Sequence, residues 1–135
     1  MSDDKMDLYL QQGMYGPLET KPDERHLFLG SLRERVLLAL TKGQVLRSKP
    51  YEEAEHALKN SKNSKNITLL INGELQYQSY SPYIQMANRN GVNFKIVSDL
   101  QFHTPLGLVI AADIAMNREL IYVQDDIFNR SVLKP

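Results

Sequence analysis

The stretch of sequence that decides the fold is Ile67-Thr68-Leu69-Leu70-Ile71, followed directly by Asn72-Gly73. Four of its five side chains are apolar and three are β-branched, which is the composition of a strand covered on both faces. Asn-Gly is a common turn and ends the strand. The run therefore predicts the central strand of a sheet that carries helices on both sides.

Helix-like and strand-like patterns alternate on either side of this strand. Before it, Phe28, Leu32, Val36 and Leu40 recur every four positions, which predicts a first helix over residues 22–42. The other predicted elements are a strand at 44–46, a helix from Pro50, a helix at 81–90, a strand at 92–97, a short helix from Thr104-Pro105 to Ala112, and a strand at 119–123. Together these elements predict an α/β fold, a three-layer α-β-α sandwich with a four-stranded mixed sheet.

The length and the distribution of these elements indicate one domain. A chain of 135 residues fits a single core. Residues 1–21 contain too few apolar side chains to form a core and are predicted to be an N-terminal arm or short docking helix. Residues 22–124 form the predicted α/β domain, and residues 125–135 form a C-terminal tail.

The composition excludes several classes of protein. The chain contains no cysteine, which excludes disulfides and thiolate metal sites. It begins Met1-Ser2-Asp3-Asp4, without the basic start and apolar stretch of a secretory signal. No window approaches the roughly 20 apolar residues of a membrane span. We therefore expect a cytoplasmic protein that does not contact a membrane.

The charge balance and the motifs add further expectations about partners. Sixteen basic residues offset sixteen acidic ones, whereas nucleic-acid binders usually carry a basic excess because they neutralise phosphates. Nucleic acid is therefore disfavoured as a partner. The spacing of His, Asp and Glu matches no zinc or hard-cation site, and no phosphate-cradling glycine pattern occurs. We expect no metal and no cofactor.

Polar side chains cluster after the two strands predicted at 67–71 and 92–97. Ligands of open α/β sheets bind at the edge where such strands end, which predicts a crevice made by Asn72, Gly73, Ser98, Asp99, His103 and Thr104. An Asp99–His103 contact would orient the imidazole, and the helix start predicted at Thr104 would hold an anion. The alternative is that these groups only satisfy loop backbone atoms and that Asn-Gly is a plain turn.

Three blocks of sequence carry a resemblance to a known family. They are Thr20-Lys21-Pro22-Asp23-Glu24-Arg25 with Phe28-Leu29-Gly30, the run from Leu69 to Gly73, and His103-Thr104-Pro105-Leu106-Gly107. In these blocks the chain resembles the YueI-like family of uncharacterised proteins from Gram-positive bacteria, over nearly its whole length. The resemblance implies a fold but no established activity, so it assigns no catalytic residue.

The order of elements over residues 28–123 also resembles the kink-turn-binding ribosomal-protein superfamily. The resemblance rests on turn residues and apolar runs. It implies RNA binding at the start of the second helix, where Arg47 and Lys49 are the candidate phosphate contacts, and Lys42, at the end of the predicted first helix, is a further candidate RNA-binding residue. Three glutamates follow Tyr51 within five residues, and these would repel phosphates.

Three functions remain open at this point. The absence of a nucleophile motif, a metal set and paired carboxylates favours a non-catalytic binding or interaction module that contacts a protein partner or a second copy of the chain. The first alternative is an RNA-binding protein. The second is an enzyme acting on a small anionic molecule at the sheet edge of Asn72, Asp99 and His103, with no catalytic residue assigned.

Overall fold

The structure, a computed structural model, describes residues 22–59, 66–98 and 104–131. Five α-helices, one 3₁₀ turn and four strands lie in these ranges. In chain order they are α1 (Pro22–Leu27), the 3₁₀ turn (Arg33–Arg35), β1 (Val36–Thr41), α2 (Lys42–Val45), α3 (Glu52–Lys59), β2 (Ile67–Asn72), α4 (Tyr77–Arg89), β3 (Asn93–Val97), β4 (Leu106–Ala112) and α5 (Asp126–Asn129).

The four strands form one mixed sheet in the order β1-β4-β2-β3. β2 runs parallel to β3, and β4 runs antiparallel to both β1 and β2. Leu69 of β2 lies opposite Phe94 on one side and Ile110 on the other. The α/β class, the mixed four-stranded sheet and the interior position of the strand at residues 67–71 are therefore confirmed.

Each face of the sheet has its own hydrophobic core. Leu69 and Ile71 of β2 point into the core that α3 and α4 cover, whereas Leu70 packs against the core on the opposite face. That second core contains Leu27, Phe28, Leu29, Val36, Ala39, Leu106, Val109, Ala111 and Ile121. The end of α1 and the chain around Ile121 therefore cover the face of the sheet that α3 and α4 do not cover.

The helix predicted over residues 22–42 is wrong beyond Leu27. Leu29 and Gly30 have φ angles of 56° and 103°, which end the helix, and residues 36–41 form β1 with every side chain buried. A continuous apolar run contains a four-residue period by necessity, so periodicity does not separate a buried helix from a buried strand. Tertiary contacts decide between the two: Val36 and Ala39 pack into one core, whereas Leu37, Leu38 and Leu40 pack into the other.

The short helix predicted from Thr104 to Ala112 is also wrong. Residues 106–112 are β4, which lies between β1 and β2 and is buried along its whole length. A Cβ on Gly107 would lie 2.9 Å from Val45 Cγ2 and 3.1 Å from Lys42 Cα. The glycine therefore lets α2 pack directly on the start of β4.

The remaining corrections concern element type and helix starts. Residues 44–46, predicted as a strand, include the end of α2. The segment at 119–123, predicted as a strand, makes one isolated parallel bridge from Tyr122 to Ala39. α4 begins at Tyr77 rather than near residue 81, with Pro82 inside it, because Tyr80 and Tyr83 are buried against the core.

Two further expectations fall partly outside the described ranges. The predicted arm at residues 1–21 lies outside them, so the division into arm, domain and tail stays a prediction. Within the described ranges, no helix has the length and apolar character required to cross a membrane.

Candidate functional site

The predicted crevice lies at the edge where β2 and β3 end, and the structure brings three of its residues together there. The two strands are parallel, so Asn72 and Val97 are in register. The Gly73 N–H donates to the Val97 carbonyl at 2.9 Å, and a Cβ on Gly73 would lie 2.5 Å from Ser98 Oγ. Asp99 and His103 lie outside the described residues, so their predicted contact stays a prediction.

Asn72 and Thr104 use their side chains to hold the fold at this edge. Asn72 is fully buried; its Nδ2 donates to the Leu106 carbonyl at 3.0 Å, and its Oδ1 accepts from the Glu74 N–H at 2.8 Å. Thr104 Oγ1 donates to the Leu27 carbonyl at 2.8 Å and accepts from the Leu106 N–H. Both side chains thereby tie the start of β4 to its neighbours. Ligand binding at this edge stays a prediction.

The three candidate RNA contacts have different surroundings. Lys42 Nζ pairs with Glu74 Oε1 at 2.7 Å. Arg47 Nε donates to the Lys49 carbonyl at 2.7 Å, and its guanidinium lies 3.5 Å from the centre of the Tyr51 ring. Lys49 is exposed. The salt bridge and the ring contact occupy two of the three cations, and RNA binding through them stays a prediction.

A polar cluster that no sequence pattern indicated joins α2, the start of α3, α4 and α5. Asp125 accepts hydrogen bonds from the Tyr51 hydroxyl, from Gln44 Nε2 at 3.0 Å and from the Phe128 N–H at 3.0 Å. The Tyr83 hydroxyl accepts from the Tyr51 N–H at 2.9 Å. We call Gln44, Tyr51, Tyr83 and Asp125 the polar hub. The bonds between its members span 32 to 81 residues of the chain, so no local motif reveals it.

The electrostatics of the polar hub fix its protonation state. Burial raises the pKa of Tyr51 to about 12, and the hydrogen bond to Asp125 acts in the same direction. Burial alone would raise the pKa of Asp125, but the hydrogen bonds from Tyr51, Phe128 and Gln44 outweigh it and lower that pKa. At neutral pH the hub therefore holds a neutral tyrosine against a carboxylate.

A groove lies between α3 and the chain at residues 118–123. It has a volume of about 350 Å³. Its floor consists of the buried apolar side chains Leu37, Leu38, Ala57 and Ile121. Leu120 also lines it and is 70% exposed. The groove therefore places an exposed apolar side chain beside a buried apolar floor.

Hydrogen bonds fix residues 118–123, which we call the groove wall, to the rest of the fold. The Ala39 N–H donates to the Ile121 carbonyl at 2.8 Å, and Gln44 Nε2 donates to the Val123 carbonyl at 2.7 Å. Arg33 Nη2 donates to the Glu119 carbonyl at 3.2 Å. The polar hub thus holds the wall at one end and Arg33 holds it at the other, so the groove is already formed without a ligand.

A second, polar pocket adjoins the groove. It has a volume of about 360 Å³ and is lined by Glu24, Arg33, Glu34, Asn117, Arg118 and Glu119. Arg118 lines both cavities. Asn117 has a φ of 50°, and its N–H and that of Met116 donate to the Glu34 carbonyl at 2.8 and 2.6 Å. This turn carries Arg118 and Glu119 into the pocket.

The described residues contain no group of three or more His, Asp or Glu side chains able to hold a metal ion. The groove and its polar neighbour instead combine apolar and charged side chains.

A family model described as "Protein of unknown function (DUF1694)" matches residues 3–122. The chain belongs to this family.

Relatives of this chain agree with that membership. "Uncharacterized protein YueI" of Bacillus subtilis (strain 168) is 87% identical over 134 residues, which cover 99% of each chain. The crystal structure of the YueI protein from Bacillus subtilis is similar with a TM-score of 0.80, over 96% of this chain and 99% of that one. The resemblance to the YueI-like family is therefore confirmed. The resemblance to the ribosomal-protein superfamily stays a prediction.

Proposed function

We propose that this protein is a non-catalytic interaction module of the cytoplasm, which binds a partner protein through the groove between α3 and the groove wall. One observation carries the proposal. Leu120 is 70% exposed beside a groove of about 350 Å³ whose floor is apolar. An apolar side chain entering this groove would remove both surfaces from water, which is the main favourable contribution to protein association.

The hydrogen bonds that anchor the groove wall support this proposal. Three hydrogen bonds fix the groove wall before any partner arrives, from Arg33, Ala39 and Gln44. A preformed surface loses little conformational entropy on binding, so more of the contact energy contributes to affinity. The polar hub that holds the wall is therefore a support for the groove rather than part of the contact surface.

The rim of the groove supplies charges of both signs. Glu53 and His56 lie on α3, and Arg118 lies on the opposite wall. Within the described ranges, their side chains form no hydrogen bond or ion pair. Charged rim residues contribute to orientation and association rate more than to affinity. They suit a partner that is held by an apolar side chain and oriented by polar ones.

The titration of the polar hub also favours binding over catalysis. General acid–base catalysis is most efficient when the pKa of the catalytic group lies near the operating pH. In the hub, the pKa of Tyr51 is raised to about 12 and that of Asp125 is lowered. Neither group changes its protonation state near neutral pH, so we assign the hydrogen bonds of the hub a structural role.

The experiment compares two exposed leucines. Tagged full-length protein captures proteins from the cells that produce it, using the wild type, Leu120→Asp and Leu46→Asp. Leu46 is 59% exposed and lies outside the groove, so it is a control matched in chemistry and exposure. A captured partner is then purified, and its affinity for each variant is measured by calorimetry.

We expect Leu120→Asp to weaken binding by roughly ten- to a hundred-fold, the equivalent of burying one leucine side chain, and Leu46→Asp to leave it unchanged. Sedimentation of the protein alone identifies the case in which the partner is a second copy. A partner whose affinity is the same for Leu120→Asp and the wild type would refute the assignment to the groove.

A further inference from the structure

The polar pocket beside the groove indicates which residue type lies next to the apolar side chain in the partner. Glu119 lines the polar pocket, and its neighbour Leu120 lines the groove. The groove wall therefore runs from the polar pocket, at Arg118 and Glu119, into the groove, which residues 120–123 line. A polypeptide lying along this wall would present its side chains to the groove and to the polar pocket at similarly short spacing, since an extended chain advances about 3.3 Å per residue.

The charges around the two cavities are predominantly negative. Four glutamates line them, Glu24, Glu34, Glu53 and Glu119, against two arginines, Arg33 and Arg118. The chain as a whole carries no net charge, so this excess is local. It favours a partner segment that carries positive charge.

Two of these carboxylates are available to a partner. Glu24 Oε2 accepts from the Arg33 N–H at 2.9 Å, and the Arg33 guanidinium donates to the Glu119 carbonyl. In contrast, the carboxylates of Glu34 and Glu119 make no hydrogen bond or ion pair with any residue that the structure describes. Glu34 and Glu119 both line the polar pocket, which meets the groove at Arg118.

We propose that the occupant of the groove is an extended segment of a partner protein in which Lys or Arg lies within three residues of an apolar side chain, on either side of it. This inference rests on the proposed function, because it places the apolar side chain in the groove. The basic side chain lies in the polar pocket and pairs with Glu34 and Glu119. Arg118, which lines both cavities, repels this basic residue, but the four carboxylates outnumber the two arginines, so the net charge around the cavities attracts it.

The test selects peptides without assuming a partner. A phage-displayed library of random dodecamers is selected on the full-length protein, with counter-selection on Leu120→Asp. Enriched peptides are synthesised, and their affinities are measured by calorimetry at two salt concentrations. Each peptide is also made with its basic residue replaced by Gln. The protein variants are Glu119→Gln and Glu34→Gln, with Glu52→Gln as the control, because Glu52 is exposed on α3 and lines neither cavity.

We expect the enriched peptides to pair an apolar residue with Lys or Arg. Replacing the basic residue by Gln should weaken binding by roughly two- to five-fold on the wild type, the range for a solvent-exposed ion pair. The same replacement should have little effect on Glu119→Gln or Glu34→Gln, and its full effect on Glu52→Gln. The preference should shrink at high salt because salt screens exposed charges.

Two other outcomes have different consequences. Peptides that bind the groove and lose affinity with Leu120→Asp, but show no preference for a basic residue, would overturn this inference and leave the proposed function intact. A selection that yields no peptide dependent on Leu120 would overturn both.

Discussion

Replacing Asp125 by Ala should destabilise the protein by about 2–3 kcal/mol. The carboxylate caps the N-terminus of α5 through the Phe128 N–H, and losing such a cap costs about 1 kcal/mol. It also accepts a hydrogen bond from the hydroxyl of Tyr51, a residue that is 1% exposed as a whole. A buried hydroxyl left without an acceptor costs about 1–2 kcal/mol. Gln44 Nε2 retains the Val123 carbonyl as a partner, so it adds little.

The assay is equilibrium unfolding in urea, followed by circular dichroism. Asp126→Ala is the control, because Asp126 is the neighbour in the first turn of α5 and its loss should change the free energy of unfolding by at most about 0.5 kcal/mol. Tyr51→Phe tests the pairing directly. The double variant should be destabilised by about 1 kcal/mol less than the sum of the two single variants.

Two results would refute this reasoning. If Asp125→Ala and Asp126→Ala cost the same, the Asp125 carboxylate does not hold the polar hub together. If the effects of Asp125→Ala and Tyr51→Phe are strictly additive, the hydroxyl and the carboxylate are not coupled.

The other predictions concern packing and pH. Gly107→Ala should lower the free energy of unfolding by about 1–3 kcal/mol, since its Cβ would lie 2.9 Å from Val45 Cγ2 and 3.1 Å from the Lys42 backbone; urea unfolding checks this, and an unchanged stability would contradict it. The pKa of Tyr51 is raised to about 12 in the folded protein. Its contribution to the free energy of unfolding is therefore complete below the pKa of an unfolded tyrosine, about 10, and is lost as the pH rises toward the folded pKa. Tyr51→Phe should remove this alkaline loss of stability. The pKa of Asp125 is lowered in the folded protein. Its contribution to the free energy of unfolding is therefore present above the pKa of an unfolded aspartate, about 4, and is lost as the pH falls through the folded pKa. Acid titration of Asp125→Ala should show a shallower fall than the wild type.

Local composition predicts the middle of this fold better than its flanks. The strand at residues 67–71 is recognisable because its short apolar run is bounded by polar residues before Ile67 and by Asn72-Gly73 after it. β1 and β4 carry similar apolar runs, but each is preceded by residues that also suit a helix start. A proline at 105 predicts the opening of a helix, whereas the Pro105 carbonyl accepts from the Lys42 N–H at 2.8 Å and leads into a strand. That contact joins residues far apart in the chain, so no local rule detects it.

The candidate site depends even more on distant contacts. The predicted crevice uses the ends of two strands, and the structure places Asn72, Gly73 and Ser98 together because β2 and β3 pair in parallel. The groove and the polar hub need residues near position 120 to lie against residues near positions 40 and 55. The sequence alone therefore places Asp125 in a polar tail, although it connects α2, the start of α3 and α5.

The polar hub and the groove are linked through the groove wall, and this link determines which substitutions can separate binding from folding. Gln44 holds both Asp125 and the Val123 carbonyl, so a change at Gln44 affects the position of the wall as well as the free energy of unfolding. Leu120 lies on the same wall but is 70% exposed, so its substitution should change stability by no more than about 0.5 kcal/mol. A loss of binding in Leu120→Asp with unchanged stability is therefore evidence about the contact surface, whereas a loss in Asp125→Ala is evidence about its support.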